Sequence, residues 1–386
     1  MILSKLKKSL SKYMKKWELF TVIMGIILFL FSVIYIGFNL IPGFSKVLIY
    51  DSFIYYQMSS NPFIAIEAPY TYRILTPLIV YFLPLENIVG FLIINFSSLL
   101  FSGVIFYYYL KKLNFNSYLS FSGVLFFLAA PTVIYSLYDI ALVDNLSFLF
   151  IALGFYFIVT EKDLLYLIIL LIGILNKETI LYTIPFFFIY KIEYQNLKIA
   201  AKKTMLISIP VLMVFLIIRY QIGLTDYFSI ETIKKVLWDH AYQFNLFQKL
   251  PYLSLYTFKN PFLAFGTLWF IFAYGLKNIE NKFLKKSLYM LPLIFLQILI
   301  STDIYRVLFI GYPIIIPISL YLFKIDNLKA FFIFMAITLA MIITYALLIP
   351  LNGLLFGLIT LPLEIIILTS LIISILQKRI KNKVSC

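Results

Sequence analysis

"DLLYLIILLIGILNKETILYTIPFFFIY", residues 163–190, decides how this chain is laid across a membrane. The stretch is apolar on both sides of a polar break at Asn176–Glu178. It is too long for one untilted helix of roughly 20 residues and too short for two ordinary ones. A single span and a pair of short helices put every later loop on opposite sides, so the rest of the sequence must choose between them.

The surroundings are those of a polytopic membrane protein. Of 386 residues, 63% are hydrophobic and 13% charged, against about 25% charged in soluble domains. Apolar runs predict spans over 18–41, 86–110, 119–138, 140–160, 204–222, 261–276, 287–301, 307–323, 329–350 and 354–377. Such uninterrupted runs exclude a transmembrane barrel, whose strands alternate. The net charge of +15 reads as orientation rather than nucleic-acid binding, because lysines collect on the cytoplasmic side of membranes.

That rule settles the ambiguous stretch. With two short helices at 163–190, Lys and Arg divide 23 to 9 between the two sides. With one span every later loop inverts, fourteen of the 23 move across while later outer-loop cations move back, and the split becomes about even. The predicted fold is therefore an all-α transmembrane bundle of about twelve membrane segments, one pair of them short, with both termini cytoplasmic. Residues 1–386 read as a single membrane domain: 1–17 is a basic cytoplasmic tail leading into an uncleaved first helix, and 42–85 and 223–260 are long extracytoplasmic loops. Within 42–85, "RILTPLIVYFLP" is too short to span and is expected to lie at or dip into the outer interface.

A minority of charges falls on the outer side. These are Asp51, Glu67 and Arg73, Asp139 and Asp144, Lys177 and Glu178, Asp239 and His240, and Asp303 and Arg306. Charge near the apex of a short-helix hairpin is costly unless paired or hydrated, so an outward-facing polar cleft with both signs of charge is predicted. Simpler roles stand beside this. Asp139 suits a cap for the following helix, Asp303 and Arg306 suit an i,i+3 pair, and His240 suits a solvated loop. Glu364, in the last span, suits a protonated or hydrogen-bonded group. One His and one Cys leave no zinc cluster and no intrachain disulfide. Neither a Walker phosphate loop nor a nucleophile elbow is present.

Four segments in order, "YDSFIYYQM" with "APYTYRILTPLIVYFLP", "LVDNLSFLFIALGFY", "GILNKETILYTIPFF" and "TDIYRVLFIGYPIIIP", resemble the integral-membrane glycosyltransferases of the GT-C superfamily. The chain departs from that pattern in having no second acidic residue beside Asp51. The resemblance implies transfer of a sugar from a polyprenyl-phosphate donor to a glycan, lipid or protein acceptor on the extracytoplasmic face. It implies Asp51 as general base, and Asp144 to position the acceptor or help hold a divalent cation, Mg²⁺ or Mn²⁺. Arg73, Lys177 and Arg306 would bind the donor phosphate, supported by Tyr55, Tyr72, Glu178, His240 and Asp303. The charge types suit those roles, since phosphate favours fixed cations and an attacking hydroxyl needs a proton acceptor. The rival readings are a transporter or lipid flippase without chemistry, and a non-catalytic subunit of an envelope-polymer assembly.

Overall fold

The computed structural model describes residues 2–40, 48, 50–63, 69–222, 264–266, 268–296 and 304–323. Among these the chain is helical, with no strand. Helices α1 (Ile2–Leu40), α2 (Tyr50–Ser60), α3 (Leu75–Phe82), α4 (Asn87–Lys112), α5 (Ser117–Ala129) and α6 (Pro131–Tyr138) come first. They are followed by α7 (Asp144–Val159), α8 (Asp163–Gly173), α9 (Thr183–Tyr194) and α10 (Leu197–Ile222). Shorter helices cover Leu268–Gly275, Lys282–Ser287, Leu291–Leu296, Ile304–Leu308 and Tyr312–Leu320.

Three stretches are long and apolar enough to cross a membrane: Trp17–Tyr35, Asn87–Lys112 and Leu197–Gln221. A fourth is α5 with α6, but it is not the straight span expected over 119–138. The pair bends by 48° at Pro131, whose ring forces Ala130 out of the helical region to ψ 136° and removes a backbone donor. The expected spans 329–350 and 354–377, and the loop 223–260, lie outside the described residues.

The decisive stretch is a hairpin. Asp163, opening α8, and Lys191, near the end of α9, meet at 2.7 Å, so the two helices return to the same end. Tyr166 stacks on Phe187 across the hairpin, with ring centres 5.0 Å apart, and its hydroxyl meets Thr183 Oγ1 at 2.8 Å. Eleven residues of α8 rise only about 16 Å, half the thickness of a bilayer core. The apex is therefore buried among the neighbouring helices.

Local signals fix the other turns. α4 ends with Asn114 in the left-handed region (φ 67°), a conformation that asparagine tolerates. There Phe115 N donates to Leu110 O and Asn114 N to Lys111 O, a Schellman closure. Asn116 then caps α5, its side chain accepting from Leu119 N at 2.9 Å. The same closure ends α7, with Glu161 at φ 57° and Lys162 N donating to Phe157 O.

The core has two parts. The larger is aromatic: Phe127, Phe148, Phe309 and Tyr312 pack ring to ring between α5, α7 and the Tyr312–Leu320 helix. Two buried hydroxyls in it are bonded, Tyr312 to Phe148 O at 2.9 Å and Tyr109 to Pro313 O at 2.8 Å. The smaller core sets Ile54, Tyr55 and Met58 of α2 on Val80, Phe91 and Ile94, and on Ile140, Ala141 and Val143 of the turn before α7. The expected outer loop 42–85 thus contains a packed helix and a short apolar helix, α3.

The contacts define two ends. At one, Glu18 accepts from Tyr107 and Ser117, Lys191 and Lys203 face Asp163, and Lys286 faces Glu193. At the other lie Asp51, Arg73, Asp144, Lys177 and Arg306. The two groups lie toward opposite ends of α7, which opens at Asp144 and ends at Val159 just before Asp163.

Candidate functional site

Five segments deliver six charges to the second end. Asp51 is in the first turn of α2 and Asp144 opens α7. Glu178 opens the 3₁₀ turn Glu178–Tyr182 at the hairpin apex. Each carboxylate thus occupies a helical N-terminus, where unpaired amides favour negative charge. Asp51 was expected in a loop; its helical setting follows from the apolar side of α2, which the smaller core buries.

The cations interleave with them. Arg306, on the Ile304–Leu308 helix, donates through Nη1 to Asp144 Oδ2 at 3.1 Å and through Nη2 to Asp51 Oδ2. Lys177 Nζ donates to Asp144 Oδ1 at 2.6 Å. Arg73 donates to both oxygens of Glu178, with Nε at 3.1 Å from Oε2, and through Nη1 to the Tyr55 hydroxyl at 3.0 Å. The order is Lys177, Asp144, Arg306, Asp51, with the Arg73–Glu178 pair joined to it by the Lys177–Glu178 peptide link.

The charges are not spread around an open cleft, as the sequence suggested. Side chains of Asp144, Lys177 and Arg306 are 3%, 8% and 7% exposed, while Asp51 and Glu178 keep 20% and 30%. Burial of this depth is tolerable because opposite charges alternate and carry hydrogen bonds.

Tyr70 completes the Asp51 environment. Its hydroxyl donates to Asp51 Oδ1 at 2.6 Å, and its ring meets Tyr55 edge-on. Burial alone would raise the Asp51 carboxyl, but the charge and hydrogen bond of Arg306, then the bond from Tyr70, hold it below the ordinary carboxylate range. The Tyr70 hydroxyl is pushed far up, by burial first and then by its bond to Asp51, so it remains a proton donor.

Of the other expected residues, Tyr72 faces a further cation. It packs under Arg219, whose guanidinium lies 4.6 Å from the Tyr72 ring and 3.5 Å from that of Phe215. His240 and Asp303 lie outside the described residues, as do Glu67, Asp239 and Glu364. Asp139 is buried but does not cap α7, whose N-cap position is Val143 with no side-chain cap.

Sequence reasoning missed Tyr70, Asn176, Thr76 and Arg219 as members of this region. Tyr70 stands three residues before Arg73, which one 3₁₀ turn converts into adjacency. Arg219 is the only charge in the apolar run 204–222, a signal of functional or structural placement within a membrane. Asn176 was visible only as the hairpin break.

Among the described residues no site for a divalent cation is formed. Both Asp144 oxygens face cationic side chains, and no group of three His, Cys, Asp or Glu among the described residues is placed to hold a metal ion.

Comparison of the chain with protein-family models, with curated proteins and with solved structures finds no match.

Proposed function

We propose that the chain is an integral-membrane glycosyltransferase of GT-C type, taking a sugar from a polyprenyl-phosphate donor on the extracytoplasmic face. The observation that carries this reading is the Asp144–Arg306–Asp51 bridge, in which one arginine is shared by two carboxylates beside a buried lysine. A phosphate offers the same planar acceptor pairs as a carboxylate and more negative charge. It competes for Arg306 with Asp51, the more exposed of its two carboxylate partners.

On this reading Arg306 turns to the donor phosphate, while Lys177 and Arg73 add positive charge where the phosphate becomes the leaving group. Asp51, released from Arg306, regains basicity and accepts the proton of the acceptor hydroxyl. That oxygen bonds to the anomeric carbon, the carbon–phosphate oxygen bond breaks, and polyprenyl phosphate departs. Asp144 keeps Lys177 and Arg306 aligned throughout. The division of loop charge supports an extracytoplasmic site and about twelve segments.

One observation favours a transporter instead: the short-helix hairpin with a charged apex, a discontinuity of the kind that transporters use for binding sites. Asp51→Asn in proteoliposomes separates the two readings. Transfer from a polyprenyl-phosphate-linked hexose should fall about 10²–10⁴-fold, the worth of a positioned proton acceptor. Undiminished transfer removes Asp51 from the chemistry, and lipid translocation without transfer in the wild type establishes the transporter.

A further inference from the structure

Asn176 sits at the hairpin apex with its side chain fully buried. Its amide makes three hydrogen bonds, one to the start of α3 and two to the start of α7. Oδ1 accepts from Thr76 Oγ1, three residues beyond Arg73. Nδ2 donates to Val143 O at 2.9 Å, the residue before Asp144, and to Ser147 Oγ at 2.8 Å, one turn into α7. Asn176 itself precedes Lys177 and Glu178. A backbone bond runs parallel to this, Leu75 N to Leu175 O at 3.0 Å.

We infer that Asn176 is the positioning residue of the site, the one side chain that sets Arg73, Asp144, Lys177 and Glu178 in register with one another. The inference rests on the phosphate-donor reading for what those charges do, and on geometry alone for how they are held. The chemistry explains the residue type. Val143 O can only accept, so a donor must face it, and Thr76 supplies a proton that needs an acceptor. A primary amide carries two donors and one acceptor on one short stem. Asp lacks the donors, Ser lacks one of them, and Gln places the group a methylene too far. Asp51 and Arg306 then join through Asp144, so the whole cluster is registered to this amide.

A buried amide that merely satisfied itself would affect folding and nothing else. The test therefore removes one strut without emptying the position. Thr76→Val is close in shape and deletes the proton given to Oδ1, while Thr76→Ser keeps it. In nanodiscs, saturable binding of decaprenyl phosphate should weaken about tenfold in Thr76→Val, the affinity equivalent of one hydrogen bond, and recover in Thr76→Ser. The unfolding midpoint should fall modestly in Thr76→Val, because Asn176 Oδ1 is left buried without its donor, and recover in Thr76→Ser. Acylation of Lys177 by a small amine reagent, read by mass spectrometry, should speed up in Thr76→Val and not in Thr76→Ser. Unchanged acylation overturns the positioning role whatever the ligand result. Faster acylation with no decaprenyl phosphate binding even by the wild type supports the positioning role and removes the phosphate-donor reading. Faster acylation with wild-type affinity in Thr76→Val shows that the register does not serve that ligand, and overturns the inference as stated.

Discussion

Asp144→Asn removes one charge and almost no volume from the middle of the cluster. In the native protein that carboxylate faces Lys177 at 2.6 Å and Arg306 at 3.1 Å, with all three side chains under 10% exposed. Breaking a buried pair by deleting one partner costs about 3–5 kcal/mol, because the remaining charge is stranded. Two features pull the value toward the lower end. Arg306 keeps Asp51, and the new amide oxygen still accepts one hydrogen bond. A loss of about 3 kcal/mol is expected, roughly a hundredfold in the folding equilibrium. Reversible unfolding of the purified protein in mixed micelles at pH 7, followed by tryptophan fluorescence, measures it. Adding Lys177→Met removes the stranded ammonium with an apolar side chain of similar length and should restore at least half of the loss. A single variant within about 0.5 kcal/mol of wild type, the ordinary surface range, would refute the claim that these charges are buried and mutually dependent.

Other outcomes follow from the same contacts. Gly275→Ala should destabilise severely, since an added Cβ would stand 2.2 Å from Ile318 O, a backbone atom that cannot step aside; thermal unfolding in detergent checks it. Because the Asp51 carboxyl is held below its ordinary range, the stabilisation it gives is complete above the unfolded value near 4 and is lost as pH falls through the folded value. Asp51→Asn should therefore flatten the acid side of the stability curve, a change visible in melting temperatures between about pH 5 and pH 3. Arg73→Lys loses the two-pronged grip on Glu178, so decaprenyl phosphate affinity should fall and Lys should substitute only in part; equal affinities would show that the fork is not used.

How much of this was legible in the sequence depends on the range of the interaction. The hairpin at 163–190 was readable because loop lysines report sidedness over the whole chain, and the Asp163–Lys191 pair bears out its return. Asp51, Arg73, Asp144, Lys177, Glu178 and Arg306 stood out because charge is scarce in an apolar chain, and the structure brings all six together. Their pairing was not readable. Arg306 was matched to Asp303 by spacing, yet it reaches Asp144 and Asp51, 162 and 255 residues away. Such choices are made by packing of the aromatic core, not by local periodicity. Tyr72 was expected in the site and Tyr70 was not, yet the 3₁₀ turn before Arg73 sets Tyr70 against Asp51. The bend at Pro131 was legible in principle, since proline restricts the residue before it. The role of Asn176 was hidden, because a buried amide's value lies in partners the sequence does not bring near.

In the proposed reaction the charge cluster breaks the bond between a sugar and a polyprenyl phosphate. The direct measurement is release of free polyprenyl phosphate from a panel of radiolabelled polyprenyl-phosphate-linked hexoses by the purified protein in liposomes, with membrane extract supplied as acceptor. The account predicts release by the wild type with at least one donor, and its near-complete loss in Asp51→Asn while the protein remains folded. Folded wild-type protein that binds these donors but releases no polyprenyl phosphate, or an Asp51→Asn protein that releases it at the wild-type rate, would contradict it.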